Sequence, residues 1–599
     1  MAKKLMMSIV ALLGIIALVL TGCGGGGGGT PIPYLNDGKF VQDTIGDLDS
    51  LDPAWGYDTA SGEQVLYIYE PLLTYDGAAT DTFKPLLATA WSYNASDNTM
   101  RFTIRTGVTF HEGGTLTPSD VEYTFERAMV QDRSGGPIWM FYQPLLNKWS
   151  NTSGGVNFTV IDQAVEVDPV TQEVVFTLYD DYWEVPFLQI LCGPWAAIVD
   201  KEWCIAEGDW PGTEATWQDY PYFNPTSEGD TALFELTNGT GPWKLSLWEH
   251  GEQIKLVKFD DYWQGDVPFD EVITRVEDEW TNRKLHLING DADLVYVPRM
   301  FIHDLDEYAD VNAIQDLVEL TLDTIFFNMC INEDSIYIGN KTLGGGIPTD
   351  FFSDLDVRLA FCYGFDYETY LADALLGEAT QIASPVIDGL SPDYQNPAAA
   401  MYSYDRDEAV AHLQAAWGGQ VWDQGFKFTL LYNSGNVPRK TACDILAEEF
   451  ESIGFEYFED SEKFQISVAP IAWETYLDKI WGTRDMPMFE IGWMPDYPHP
   501  DNFVVPYMHS EAGAFSAFQC YGSTELDDKI TAAFQDTNPV TQQEKYYELQ
   551  QIYYDDPGGI MLFQPQGRRF FTKYIGGFVF NPVNPGAPGY LYDMSKSPS

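Results

Sequence analysis

Positive charge is what this chain has least of. Its 599 residues carry 32 Lys and Arg against 90 Asp and Glu, a formal net charge of −58 at pH 7. No basic stretch of any length offsets the acids. A surface of that sign repels nucleic acid and anionic lipid headgroups, so neither is an expected partner and charge cannot hold the chain on a membrane. Such acidity is of the kind a salty or acid habitat favours, and it says little about fold. Histidine and cysteine are scarce, with 7 of each. No CxxC or Cys/His spacing suggests zinc. No GxSxG, HExxH or Cys/His constellation marks a hydrolase, and among 90 acids a carboxylate pair of the glycosidase kind is uninformative. These absences leave no catalytic residue, metal or cofactor to assign. Beyond the N-terminus, no segment is long and apolar enough to span a bilayer.

What is present is apolar material and aromatic rings. Hydrophobic residues make up 45 %, with 18 Trp, 35 Tyr and 36 Phe. That is ample for large cores, and the length implies two to four folding units. The first residues form the most specific local signal. Lys3 and Lys4 precede the uncharged run Leu5 to Leu20, and then comes Leu20-Thr21-Gly22-Cys23. This resembles the bacterial lipobox, which implies a cleaved leader over 1–22 and a diacylglycerol on the Cys23 thiol. The alternative is a plain secretory leader with an incidental cysteine. Gly24 to Gly29 and Thr30-Pro31-Ile32-Pro33 then read as a flexible tether over 23–34. An exported chain can form disulfides, and six further cysteines remain. Cys192 and Cys204, which flank a loop rich in Trp and Pro, are the expected pair.

Local patterning shows two α/β units. Met100, Phe102 and Ile104 alternate with Arg101, Thr103 and Arg105, as a half-buried strand does. Thr117-Pro118-Ser119-Asp120 has the cap, the first-turn proline and the capping-box acid of a helix start. Residues 243–259 read as a hairpin about His250-Gly251. A strand at 273–276, a helix from Trp280 to Ile288 stopped at Asn289-Gly290, and a strand at 293–297 make a β-α-β unit. A second unit has a strand at 426–433, a helix from about Pro438 to Ile453 with Gly454 as its stop, and a strand near 465–468.

Several segments then resemble, in order, those of the family 5 extracellular solute-binding proteins, which include dipeptide-, oligopeptide- and nickel-binding proteins. They are DLDSLDPAWGYDTASGEQVLYIYEPLLTYD (47–76), KPLLATAWSYNASDNTMRFTIRTGVTFHEGGTLTPSDVEYTFERAM (84–129), GTGPWKL (239–245), DDYWQGDVPFDEV (260–272), DVRLAFCYGFDYE (356–368) and GWMPDYPHPDNF (492–503). Glu112 stands where the family more often has Asp, and His499 likewise. The resemblance covers nearly all of the chain after the leader. It implies an α/β, two-lobed periplasmic-binding-protein-like fold of type II, with an extra subdomain in the first lobe and a hinge between lobes. The implied division gives 35–75, 231–324 and 531–599 to lobe I, 76–230 to the subdomain and 325–530 to lobe II.

The resemblance also implies function. The expectation is a monomeric, non-enzymatic substrate-binding lipoprotein on the outer face of the cytoplasmic membrane. It would capture a small-molecule ligand, a short peptide first, and deliver it to ABC permease and ATPase subunits. Oligosaccharide or nickel chelate, a non-transport sensor and, last, an extracellular hydrolase are the alternatives. In peptide-binding members the acid at the position of Asp496 pairs with the peptide ammonium, since a buried cation requires a buried anion. Trp493 and Tyr497 flank it and are expected to wall the cleft. Arg439 is the candidate base for a ligand carboxylate. His111, His499 and His509 are read as non-ligating, with Asp501 as a partial substitute for the acid that His499 replaces.

Overall fold

The computed structural model describes residues 31–219, 221–584 and 590–598. The expected leader and Cys23 lie outside the described residues. Among the described residues no helix is long and apolar enough to cross a membrane.

The alternation at 100–104 becomes the strand Thr99–Ile104, with Met100, Phe102 and Ile104 buried and Thr103 exposed. It pairs with Ala88–Asn94 and Val174–Thr177 in a separate four-stranded sheet. The helix after it starts as its sequence dictates. Thr117 and Asp120 form the capping box and Pro118 opens Pro118–Gln131. That helix carries Arg127, which is fully buried between Asp52 (2.6 and 2.9 Å) and Asp209 (2.5 Å).

Both expected β-α-β units are present. Glu271–Val276 and Leu294–Val295 run parallel to each other on either side of Lys39–Thr44, joined by the helix Trp280–Asn289. Gly290 ends that helix in the left-handed region, at φ 78°. In the second unit Phe426–Asn433 pairs directly and in parallel with Phe464–Ile471, across the helix Val437–Phe458. This helix runs past Gly454. A side chain at Gly454 would approach the Asp460 carbonyl to 2.7 Å, so the glycine serves a close backbone approach, and Glu459 makes the left-handed cap instead (φ 53°).

One long strand, Gly559–Thr572, ties the units together. Its first half pairs with Leu322–Phe327 and its second half with Val311–Val318 and Leu294–Val295. Through it a ten-stranded sheet runs from Met488–Trp493 in one lobe to Trp243–Glu249 in the other. The chain therefore crosses between lobes on two adjacent antiparallel segments, 311–327 and 559–572. One core gathers Phe40, Trp55, Phe102 and Phe176, and another gathers Phe327, Phe361, Phe428 and Phe450. Three of the sequence segments quoted above meet at one buried carboxylate. Glu70 accepts from Thr240 Oγ1 (2.8 Å), Tyr262 Oη (2.7 Å) and Trp263 Nε1 (2.9 Å).

The expected Cys192–Cys204 disulfide does not form. Cys330 is bonded to Cys520 instead, and Cys192, Cys204, Cys362 and Cys443 are free and buried. The Cys192 thiol donates within its own turn to the Leu188 carbonyl (3.4 Å), and burial pushes both the Cys192 and Cys204 thiols well up. Closeness in sequence did not bring the two thiols into a bond. The bond that does form spans 190 residues.

Candidate binding cleft

The strand Met488–Trp493 delivers the segment 494–500 to the gap between lobes. Asn502, in the first turn of Asp501–Met508, organises it: its Oδ1 accepts from the Asp496 N–H (2.9 Å) and its carbonyl accepts from Trp493 Nε1 (2.7 Å). Asp496 is thereby aimed at the other lobe, where the Tyr57 hydroxyl donates to its Oδ1. Trp139 Nε1 donates in turn to Tyr57 Oη (3.2 Å). Burial raises the Asp496 carboxyl to about 6, although the Tyr57 and Asn502 donors pull the other way. Among the described residues no Lys, Arg or His is ion-paired with it.

Asp496 and Tyr57 stand between two cavities. The smaller, of about 100 Å³, has Tyr57, Glu63 and Trp195 from the first lobe and Met494, Pro495 and Asp496 from the second. The larger, of about 690 Å³, is walled by Trp139, Trp149, Tyr182, Trp493, Tyr497 and Phe534. A third, of about 510 Å³, continues from the smallest along the helix Thr59–Ile68, with Thr59 and Glu63 common to both. Its far wall is charged: Arg299, Glu319, Glu378, Arg568 and Arg569. Arg568 is ion-paired with Glu378, and Arg569 with Glu319 at 3.2 Å.

The residues expected from sequence divide into two places. Trp493, Asp496 and Tyr497 all line the largest cavity. Tyr497 is 2 % exposed, packs with the core of the first lobe and gives its hydroxyl proton to Asp501 (3.0 Å). His499 is hydrogen-bonded to the same carboxylate. Asp501 is therefore committed to Tyr497 and His499. Arg439 lies elsewhere, in the first turn of Val437–Phe458 and on none of these three cavity walls. Its Nη1 donates to Asn433 Oδ1 (2.9 Å), its Nη2 is 3.9 Å from Asp323, and its guanidinium lies 5.1 Å from the centre of the Trp473 ring. His111 is buried with Nε2 on the Gly241 carbonyl (2.8 Å), and burial lowers it to about 4, so it stays neutral.

Tyr57, Trp139, Glu63 and the three arginines were not singled out by sequence. Tyr57 and Glu63 lie inside a motif-bearing segment, but nothing in spacing separates one tyrosine from 34 others or one acid from 89.

The model for bacterial extracellular solute-binding proteins, family 5 Middle, matches residues 82–515. The Escherichia coli protein named "Probable D,D-dipeptide-binding periplasmic protein DdpA" is 24% identical over 544 residues, 90% of this chain and 90% of that protein. Among solved structures, the ABC transporter-associated periplasmic binding protein DppA from Helicobacter pylori, in complex with peptide STSA, superposes with a TM-score of 0.70 at 20% identity, over 94% of this chain and 98% of the other. The oligopeptide-binding protein AppA from Bacillus subtilis, in complex with a nonapeptide, gives 0.68 at 19% identity, over 95% and 100%.

Proposed function

The chain belongs to the bacterial extracellular solute-binding proteins of family 5, and on that premise we propose that it captures short peptides between its lobes and passes them to an ABC permease and its ATPase, tethered to the membrane by a lipid on Cys23. One observation carries the peptide reading. Asp496 is a half-buried carboxylate at a cavity between lobes, with one neutral donor, Tyr57, on Oδ1. An anion so placed is unfavourable until a cation arrives, and a peptide α-ammonium supplies three donors and a charge. Relatives named or crystallised with peptides agree with this. The division into lobes is proposed with it, with the last boundary moved: 35–75, 231–324 and 559–599 against 325–558, with 76–230 as the subdomain, because Tyr546, Leu549 and Tyr553, expected in lobe I, pack with Phe326, Phe489 and Tyr507.

In this reading the ligand bridges Asp496 of one lobe and Tyr57 of the other. It thus binds the closed arrangement better than the open one and shifts the population toward it. The test is calorimetric titration of the full-length chain in detergent micelles with Ala-Ala-Ala. Asp496→Asn should weaken binding by about 3 kcal/mol, roughly a hundredfold, as removal of one partner from a buried charge pair does. N-acetyl-Ala-Ala-Ala should fail in the same way on the unaltered chain. Equal affinity in Asp496→Asn removes that residue from the site. The indoles of Trp139 and Trp149, 6.0 Å apart on the large cavity wall, are the observation favouring the second reading, an oligosaccharide. Binding of sugars and not of peptides would select it.

A further inference from the structure

The small cavity beside Asp496 holds a second carboxylate. Glu63 projects from the second turn of Thr59–Ile68 and is only 9 % exposed. Its Oε1 is fixed, accepting from Gln42 Nε2 (2.6 Å) and Tyr67 Oη (2.9 Å). No donor among the described residues reaches Oε2, and Glu63 lines both the 100 Å³ cavity and the 510 Å³ cavity next to it. The small cavity has Asp58, Glu63 and Asp496 on its described wall and no Lys, Arg or His. Asp58 is exposed and caps the helix, its Oδ1 accepting from Ser61 N (2.9 Å). Two carboxylates withdrawn from bulk solvent, Glu63 and Asp496, thus face one small space with an oxygen to spare.

We infer that Glu63 is a specificity residue that receives a second cation of the ligand, the basic side chain of a peptide whose first residue is Lys, Orn or Arg. This rests on the peptide reading and sharpens it. The α-ammonium at Asp496 accounts for one charge. The adjoining acid, held rigidly by Gln42 and Tyr67, gives the stem of a basic first residue an end point a short way along the helix. A neutral side chain would leave Oε2 without a donor. The net charge of −58 acts in the same direction, since it concentrates cationic solutes near the mouth of the cleft. Burial holds the isolated Glu63 carboxyl up at about 7, against the donors Gln42 and Tyr67 and the more distant Arg569. Asp58 and Asp496 face it across the small cavity. On the other side stand Asp43, which is paired with Arg275 and His286, and the ion pairs Arg568–Glu378 and Arg569–Glu319. A ligand cation at Oε2 would stabilise the ionised form and expel a proton.

The experiment compares Lys-Ala-Ala with norleucyl-Ala-Ala, which has a side chain of similar length without the charge, on the full-length chain at pH 7. The lysyl peptide should bind about tenfold or more tightly, and Glu63→Gln should bring the ratio close to one. Should that variant fail to fold, the unaltered chain still gives an answer. Titrations in two buffers of different ionisation enthalpy count protons, and the lysyl peptide should release about half a proton more per site than the norleucyl one. Equal affinities with equal proton counts, or a ratio unchanged in Glu63→Gln, overturn the role of Glu63 and leave the peptide reading standing. Failure of both peptides to bind overturns both.

Discussion

At the scale of single residues, the cleft turns on how few charges are left without a partner. Asp496 keeps a raised carboxyl, at about 6, because burial disfavours its ionised form, the Tyr57 and Asn502 donors offset that only in part, and no cation is paired with it among the described residues. Ligand binding then carries its own pH dependence. With the proposed pairing, a peptide ammonium would lower the Asp496 pKa in the complex, so the free protein would take up a proton below about 6 that the complex does not. Affinity for a neutral peptide should therefore be level near pH 7 and fall as pH drops through 6 toward 5, approaching tenfold per pH unit. It should also fall above pH 8, where the peptide amine deprotonates. Titrations of Ala-Ala-Ala from pH 5 to 9 check this, and a flat profile between 5 and 7 would mean that Asp496 does not hold the amine. Tyr57 offers a complementary case. Its hydroxyl links the lobes through Asp496, so Tyr57→Phe should weaken peptide binding by about 1 kcal/mol, measured by the same titration.

At the scale of elements, sequence pattern served best where a local rule acts alone. The capping box at Thr117 and Asp120, the alternating strand at 99–104 and the Gly290 stop follow from contacts within a few residues. Gly454 departs from its expected role because a glycine demanded by the chain folding back over the helix end, at Asp460 and Lys463, looks the same in sequence as one that ends a helix. The Cys330–Cys520 bond is not legible because its partners are 190 residues apart, and Arg439 is expected in the site only through the family resemblance, while in the fold its guanidinium serves Asn433 and Asp323. Asp496, Trp493 and Tyr497 were legible through a motif, whereas Tyr57 and Glu63 come from the facing lobe and needed the fold to meet them. The element with most at stake is Pro118–Gln131, whose Arg127 compensates two buried acids from distant segments, Asp52 and Asp209. Arg127→Met should lower stability by about 3–5 kcal/mol, since it strands both carboxylates, and urea unfolding would measure it. Replacing Asp52, Arg127 and Asp209 together with apolar residues should cost less than the single change.

Across the whole molecule, the excess of acid reaches the interior. Burial raises Glu63, Glu70 and Asp132 to about 7, Glu126 and Glu490 to about 8 and Asp496 to about 6. In the unfolded chain these groups titrate near 4. A carboxyl whose folded pKa is raised favours the native state fully below its unfolded pKa, and that advantage is lost as pH rises through the folded value. The six together predict a protein more stable at pH 5 than at pH 8. Two kinds of group act the other way. His111, lowered to about 4, disfavours the native state once pH falls below 6.5, but it is one group against six. Asp536, lowered to about 2 chiefly by Lys545, loses its contribution only as pH falls below about 4, outside this range. Repulsion among the surface charges adds to the trend, because a net charge of −58 shrinks as the acids take up protons. Thermal unfolding of the unliganded chain at pH 5, 6, 7 and 8 should show the melting temperature falling steadily across the series. The steepest loss should lie between 5 and 6, where the unfolded chain has released these protons and the folded chain still holds them, and the curve should flatten toward 8 as the buried carboxyls ionise. Added salt should flatten the part due to surface repulsion and leave the part due to the buried groups, because screening does not reach them. A melting temperature that rises toward pH 8 would show that these acids are ionised and paired in the folded chain, which would also remove the protonated Glu63 on which the proton count with lysyl peptides depends.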